Sequence, residues 1–409
     1  AGAGNASGYI NVAIYPATNV NNGTIAAYGN GYAQGNSSLV NIYTPTGQTA
    51  TIGGNSYFDD KVTWNTTTNY LGTIQIANGA VVGAAQGAGT VGLKLDGSTI
   101  VTTVSGTSGS PIAATLVNPY LVGGTLTTGS YATVTLNGLN WANGVISTGT
   151  GSSFVVTGNN GIITTNNGGV SAGSTSGAPT LNGTLAVASG ATLSILSNTY
   201  NSWTYLYLGA SGVLNNSGTI YFTPWNTSAY WTYIGLQNTS ATGVINNSGS
   251  IIAGPTTGTA NTNGFVQVRL DAIMNNTGGT IATYANGYAQ NNSSQITIYT
   301  PTGRTGSISG NSYFDDNVFW SSTTNFLGTI NILNGAVISS AQGLNASGAQ
   351  QTYSINNIGM LFSANGASSI INNLGMSGGA ITTTTGNVLT INAMTWTNGL
   401  LTTAGTGVI

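Results

Sequence analysis

The chain has 409 residues, of which four are Lys or Arg, six are Asp, and none is His, Cys or Glu. Charged residues make up 2% of it, against about 25% in an ordinary soluble domain, so it lacks the charged surface that keeps a globular domain in solution. Hydrophobic residues at 40% and a net charge of −2 exclude a disordered chain.

The missing residue types also exclude chemistry. Without His, Cys or Glu, the usual triads, zinc sites and disulfides cannot be built, and no cofactor is expected. A net charge of −2 offers no basic patch for nucleic acid. No apolar run reaches the roughly 18–20 residues of a membrane-spanning helix. Long helices are disfavoured by the scarcity of charged helix formers. The 62 Gly and the many Thr, Ser and Asn suit turns and strands. The opening AGAGNAS looks like a mature end left by cleavage at a small-residue site.

Strand-like sequence begins at YINVAI (9–14). The segment from Thr24 to Gly87 then returns, ungapped, from Thr280 to Gly343, with 44 of 64 positions identical at an offset of 256 residues. The match weakens outward: GYINVAI (8–14) aligns with GFVQVRL (264–270), and the LNWANG around Trp141 with the MTWTNG around Trp396. Residues 1–256 are therefore read as a first large repeat unit and 257–409 as a partial second copy, continuous with it in one solenoid.

Each copy carries NSYFDD, which supplies the two adjacent acid pairs, Asp59–Asp60 and Asp315–Asp316. A glycosidase needs two carboxyls flanking one bond, and neighbouring residues of a strand point to opposite faces, so catalysis is disfavoured. The pairs are weak calcium candidates, and a capped turn is the leading reading. The neighbours Tyr57, Phe58 and Trp64 recur as Tyr313, Phe314 and Trp320 and read as a small hydrophobic flap packed on the solenoid.

Next come WTYLYL (203–208), WTYIGL (231–236) and FVQVRL (265–270), all alternating with period 2, as half-buried strands do. If Leu206, Leu208, Ile234 and Leu236 face the core, then Trp203, Tyr205, Trp231 and Tyr233 face out, and Phe265 continues the row. Such a stripe of rings reads as a lateral contact with a loop or neighbouring subunit, or as a stacking platform for sugar rings. After each strand follows GVLNNSGTI, GVINNSGSI or IMNNTGGTI, ending at Ile220, Ile251 and Ile281. Asn216, Asn247 and Asn276 are expected to stack as a structural ladder of hydrogen-bonded amides.

Short strands every 20–30 residues, with Gly/Asn turns and no helix between them, give an all-β fold, a parallel β-helix (β-solenoid) forming an elongated rod. With almost no ionic contacts, its stability should barely depend on pH or salt. N-x-S/T triplets at Asn22, Asn36, Asn65, Asn226, Asn238 and Asn345 are open to glycosylation in a secreted protein.

VLNNSGTI, INNSGSI and LNWANGVISTGTG resemble the repeats of right-handed β-helix adhesins of bacterial surfaces, the filamentous-haemagglutinin-like exoproteins and autotransporter passengers. The resemblance covers most of the chain. It implies a right-handed coil and secretion from a Gram-negative cell to an extracellular or cell-surface location. The secretion domain and membrane barrel of that group have no recognisable counterpart here.

No cap is evident, since strand-like sequence starts by Tyr9 and the chain closes on TGVI; either the chain is a window of a longer protein or its ends pair with the next copy. The expectation is a structural extracellular fibre, sheath or surface-layer subunit whose copies pair head to tail as a homopolymer and bundle laterally. The alternative is a cell-surface adhesin that binds glycans through the exposed aromatics. Ice binding, prompted by WNTTTNY (64–70) and ITTTTGN (381–387), and polysaccharide cleavage are disfavoured.

Overall fold

Alternation of side chains decides the elements. In the strand Trp203–Leu208, Thr204, Leu206 and Leu208 are buried while Trp203, Tyr205 and Tyr207 are half-buried. The same pattern runs through Leu39–Tyr43, Thr192–Ser197, Val213–Asn216 and Gln295–Tyr299. The structure, a computed structural model, describes residues 10–27, 38–85, 91–97, 100–165, 178–197, 202–223, 231–254, 265–283, 294–315, 317–341, 353–355, 360–363 and 368–409. Among these every regular element is a β-strand, and the strands of successive coils pair in parallel. The fold is a parallel β-helix.

The chain divides into two compact units, Ala1–Ile163 and Thr164–Ile409. In the first, three columns of strands make three faces. Asn11–Ile14 pairs with Leu39–Tyr43 and that with Val62–Asn65. Thr49–Gly53, Thr73–Ile76, Ile100–Thr103, Thr125–Thr127 and Val145–Ser147 follow one another on the second face. Asn55–Phe58 and Val81–Ala84 belong to the third. The second unit repeats the plan. Trp203–Leu208, Trp231–Asn238, Phe265–Asp271 and Gln295–Tyr299 stack on one face, and Val213–Asn216, Val244–Asn247 and Ile273–Thr277 on the next.

Coil length varies, with 20 residues between the partners Thr125 and Val145 and 31 between Val213 and Val244. The surplus goes into turns, so the inward columns stay in step. One such column is Leu185, Leu214, Ile245 and Met274, all buried. Burying each such side chain is worth about 1.5–3 kcal/mol. Among the described residues there are two ion pairs, one of them half-buried and loose at 3.7 Å between Lys61 and Asp60. Apolar columns and main-chain pairing therefore hold the coils.

The hydrophobic flap expected around NSYFDD is corrected. Asn55–Phe58 and Asn311–Phe314 are strands of the coil itself. Phe58 and Trp64 are buried in the core of the first unit with ring centroids 5.4 Å apart, and Phe314 and Trp320 do the same in the second at 5.9 Å. Only Tyr57 and Tyr313 of that group point outward. The sequence boundary at 256/257 falls inside the second compact unit, because a duplicated sequence block made of whole coils need not be a folding unit.

Candidate functional site

The acid pairs sit at corners of the coil. After the strand Asn55–Phe58 the chain turns, and Asp59, buried, accepts hydrogen bonds from the Ala27 N–H at 2.6 Å and the Lys61 N–H at 2.9 Å. Asp315 repeats this: it accepts from the Thr283 N–H, from the Thr283 hydroxyl at 2.8 Å and from the Asn317 N–H at 2.9 Å. Each carboxylate ties its own turn to the chain one coil away. Asp60 instead points to Lys61, and Asp316 lies outside the described residues. The calcium candidates are thus not brought together. Among the described residues no three acids or other ligating groups cluster, and the buried carboxylates face N–H donors, which a cation would have to displace.

The structure brings the three ladder residues into one stack. Asn216 Nδ2 donates to Asn247 Oδ1 at 2.7 Å, and Asn247 Nδ2 to Asn276 Oδ1 at 2.6 Å. Asn276 Nδ2 ends the run on the Gly279 carbonyl at 2.9 Å. The rows above and below are apolar: Val187 pairs with Asn216 and Ile308 with Asn276. A second, outward ladder was not anticipated. Asn246 Nδ2 donates to Asn215 Oδ1 at 2.8 Å, Asn275 Nδ2 to Asn246 Oδ1 at 2.9 Å, and the Ser307 hydroxyl to Asn275 Oδ1 at 2.9 Å. Its donors point back along the coils while those of the inner ladder point forward, so the two rows of amide dipoles oppose each other.

The aromatic row is real but staggered. Register sets Trp203 beside Tyr233 and then Gln267, with the two rings 5.2 Å apart. Tyr205 falls beside Gly235 and then Arg269. Trp203 is therefore not in line with Trp231, and the rings do not form the single column expected. Trp231 pairs through its backbone with Phe265, and the side chains of both lie outside the described residues. Gly235 matters here: a Cβ on it would come within 2.7 Å of the Tyr205 ring, so the ring lies across the bare backbone. Tyr205 and Tyr207 stack at 5.7 Å. Burial raises the pKa of both phenols above the ordinary value, with a further upward contribution from Tyr207 at Tyr205.

At the end of this row stands an ion pair that the sequence reading passed over. Arg269 Nε donates to Asp271 Oδ1 at 2.7 Å, the carboxylate side chain being 3% exposed and the guanidinium 37%. The guanidinium carbon lies 4.7 Å from the centroid of Tyr299 and 5.2 Å from that of Phe326. Burial pushes the Asp271 carboxyl above its usual range, and the hydrogen bond and charge of Arg269 offset part of that. The available signal was the alignment of GYINVAIY with GFVQVRLD, which sets Ala13 against Arg269 and Tyr15 against Asp271.

Comparison with family models, with curated proteins and with solved structures found no match to this chain. Function has to be argued from the geometry.

Proposed function

We propose that this chain is a structural protein of the cell exterior, a fibre, sheath or surface-layer subunit built from stacked coils. Copies join head to tail through the same parallel main-chain pairing that joins coil to coil, and the rows of copies bundle laterally. The observation that carries the reading is how the coils cohere: main-chain ladders, apolar columns and amide stacks, in a chain where charged residues are 2%. Backbone pairing is indifferent to side-chain identity and serves between molecules as well as within one. No catalytic role is assigned, since the buried acids Asp59 and Asp315 are engaged by N–H and O–H donors as turn braces. Secretion from a Gram-negative cell, as in the β-helix adhesins that the repeats resemble, is part of the proposal.

A second reading, a surface adhesin binding glycans, is favoured by one observation: Trp203, Tyr205 and Tyr233 are half-buried rings in mutual contact on an outward face. Negative-stain electron microscopy at rising protein concentration tests the first reading. Long uniform fibres with an axial repeat support it. Monodisperse particles at every concentration would remove the homopolymer.

A further inference from the structure

The two sequence copies build the same two-ring platform and cover it differently. In the first unit, Tyr43 ends the strand Leu39–Tyr43 and Tyr70 closes a short turn through its bridge to Thr67. Their centroids are 5.7 Å apart and their planes 57° apart. In the second unit, Tyr299 and Phe326 hold the equivalent positions at 5.4 Å and 55°, with Phe326 bridged to Thr323. The platform is thus a conserved piece of local geometry within this one chain, able to receive a third flat group.

In the first unit that group is the Tyr15 ring, 5.2 Å from Tyr43 and 5.0 Å from Tyr70. The cluster is a closed set of three rings. In the second unit the residue equivalent to Tyr15 is Asp271, and the flat group is the guanidinium of Arg269, whose equivalent is Ala13. Ala and Tyr therefore suffice for the fold, and Arg and Asp are a departure from a working solution.

The departure carries a cost that the rings do not. Desolvating a carboxylate and half-burying a guanidinium cost free energy: burial pushes the Asp271 carboxyl up, while Asp271 and the nearby phenols hold Arg269 more firmly protonated and return part of that cost. In a chain with four cations and six acids in all, one of each is spent at this point. Groups that break the local rule without stabilising the fold are where function is to be sought.

What the pair offers is a set of donors fixed in place. Nε is held by Asp271, and the plane is held by two rings. Among the described residues the terminal N–H groups of Arg269 have no other hydrogen-bond acceptor, and the side chain is partly exposed. Beside it the face continues with planar groups. Gln267 donates to Gln295 at 3.4 Å, Tyr205 lies across Gly235 next in line to Arg269, and Trp203 with Tyr233 occupies the neighbouring column. Flat rings beside fixed hydroxyl-binding groups match the two sides of a pyranose, whose C–H face is apolar and whose edge carries hydroxyls. The Arg269–Asp271 pair carries no net charge, which favours a neutral sugar over an acidic one.

We propose that Arg269 and Asp271, with Trp203, Tyr205 and Tyr233, form a binding site for a neutral pyranose glycan. The sugar lies on the rings, and Arg269 donates to its hydroxyls. The inference rests on the adhesin reading and names its site. It is independent of the fibre reading.

The test is an array of neutral and uronate oligosaccharides probed with the full chain, followed by calorimetry with the strongest neutral binder. The decisive variant is the double substitution Arg269→Ala/Asp271→Tyr, which installs the pair that the first copy already folds with. Expected is a neutral oligosaccharide bound by the native chain, at least a tenfold weaker affinity in the double variant, a similar loss in Trp203→Ala, and no change in Arg304→Ala. The double variant should keep the native circular dichroism and a thermal midpoint at or above that of the native chain. No neutral sugar bound, equal binding by the double variant, or binding confined to uronates would each overturn the proposal. Fibres in micrographs without sugar binding would keep the structural reading and remove the adhesin reading with this site, whereas a neutral sugar bound equally by the double variant would remove this site and keep the adhesin reading.

Discussion

Val187 pairs in register with Asn216, and the buried Asn216 Oδ1 has no hydrogen-bond partner. The inner amide ladder therefore starts on an orphaned oxygen beside an apolar row. A buried acceptor left unmet costs about 1–3 kcal/mol. Val187→Thr sets a hydroxyl donor beside it with almost no change of volume. The expected result is a chemical-denaturation stability equal to or above the native value. By contrast, Val134→Thr should lose about 1–3 kcal/mol, because Val134 lies between Ala114 and Phe154 in an apolar column.

Asn247 sits mid-ladder, bonded to Asn216 on one side and Asn276 on the other. Asn247→Ala removes both bonds and strands the Asn276 oxygen. A loss of about 2–4 kcal/mol is expected. Replacing Asn216, Asn247 and Asn276 together by Leu removes every member at once and should cost less than the single change, since a wholly apolar row leaves no polar atom unmet. Equilibrium unfolding of both variants measures this non-additivity.

The Asp271 carboxyl is pushed up by burial, with Arg269 as its partner and Tyr205 and Tyr299 close to that partner. A carboxyl with a folded-state pKa above its unfolded one binds more protons when folded, so its unfavourable contribution is full above the folded pKa and lifts as pH falls through it. Thermal midpoints of the native chain and Asp271→Asn, compared from pH 7 down to about pH 4, should shift in favour of the native chain on acidification. A shift the other way would mean that the ion pair, not burial, controls the group.

Asp315 accepts from two donors of Thr283 one coil away and from the Asn317 N–H in its own turn. Asp315→Ala leaves them without their acceptor, and a destabilisation of about 2–4 kcal/mol is expected. Asp59→Ala should behave alike in the first copy. Chelation by EDTA should leave the thermal midpoint of the native chain unchanged, whereas a calcium-filled corner would lower it.

The fold was legible because period-2 alternation in WTYLYL and the recurring Asn pairs both report directly on a stacked strand. The register was less so. Trp203 meets Tyr233 rather than Trp231 because the turns between coils absorb different numbers of residues, and alternation alone cannot count them. NSYF looked like an appendage because its aromatics cluster, yet Phe58 and Trp64 are simply inward positions on the two sides of a corner, with Val62 buried between them. The platform was hidden because Tyr70 and Phe326 reach the face through tight turns, a route that no strand periodicity records. Arg269 stood in plain view in the alignment of the copies. Its meaning emerged only when the ring of Tyr15, whose place on the platform its guanidinium takes in the second copy, had a position in space.

Pairing by backbone and register has an evolutionary consequence. A coil recognises its neighbour through a repeated hydrogen-bond pattern and not through a private set of charges, so recombination between sister repeats can insert or delete whole coils without rewriting an interface. A 64-residue stretch that returns ungapped 256 residues later is what such an exchange would leave behind. Once duplicated, a copy is free to take on a separate role, and Ala13 and Tyr15 in one copy against Arg269 and Asp271 in the other mark where the two have parted.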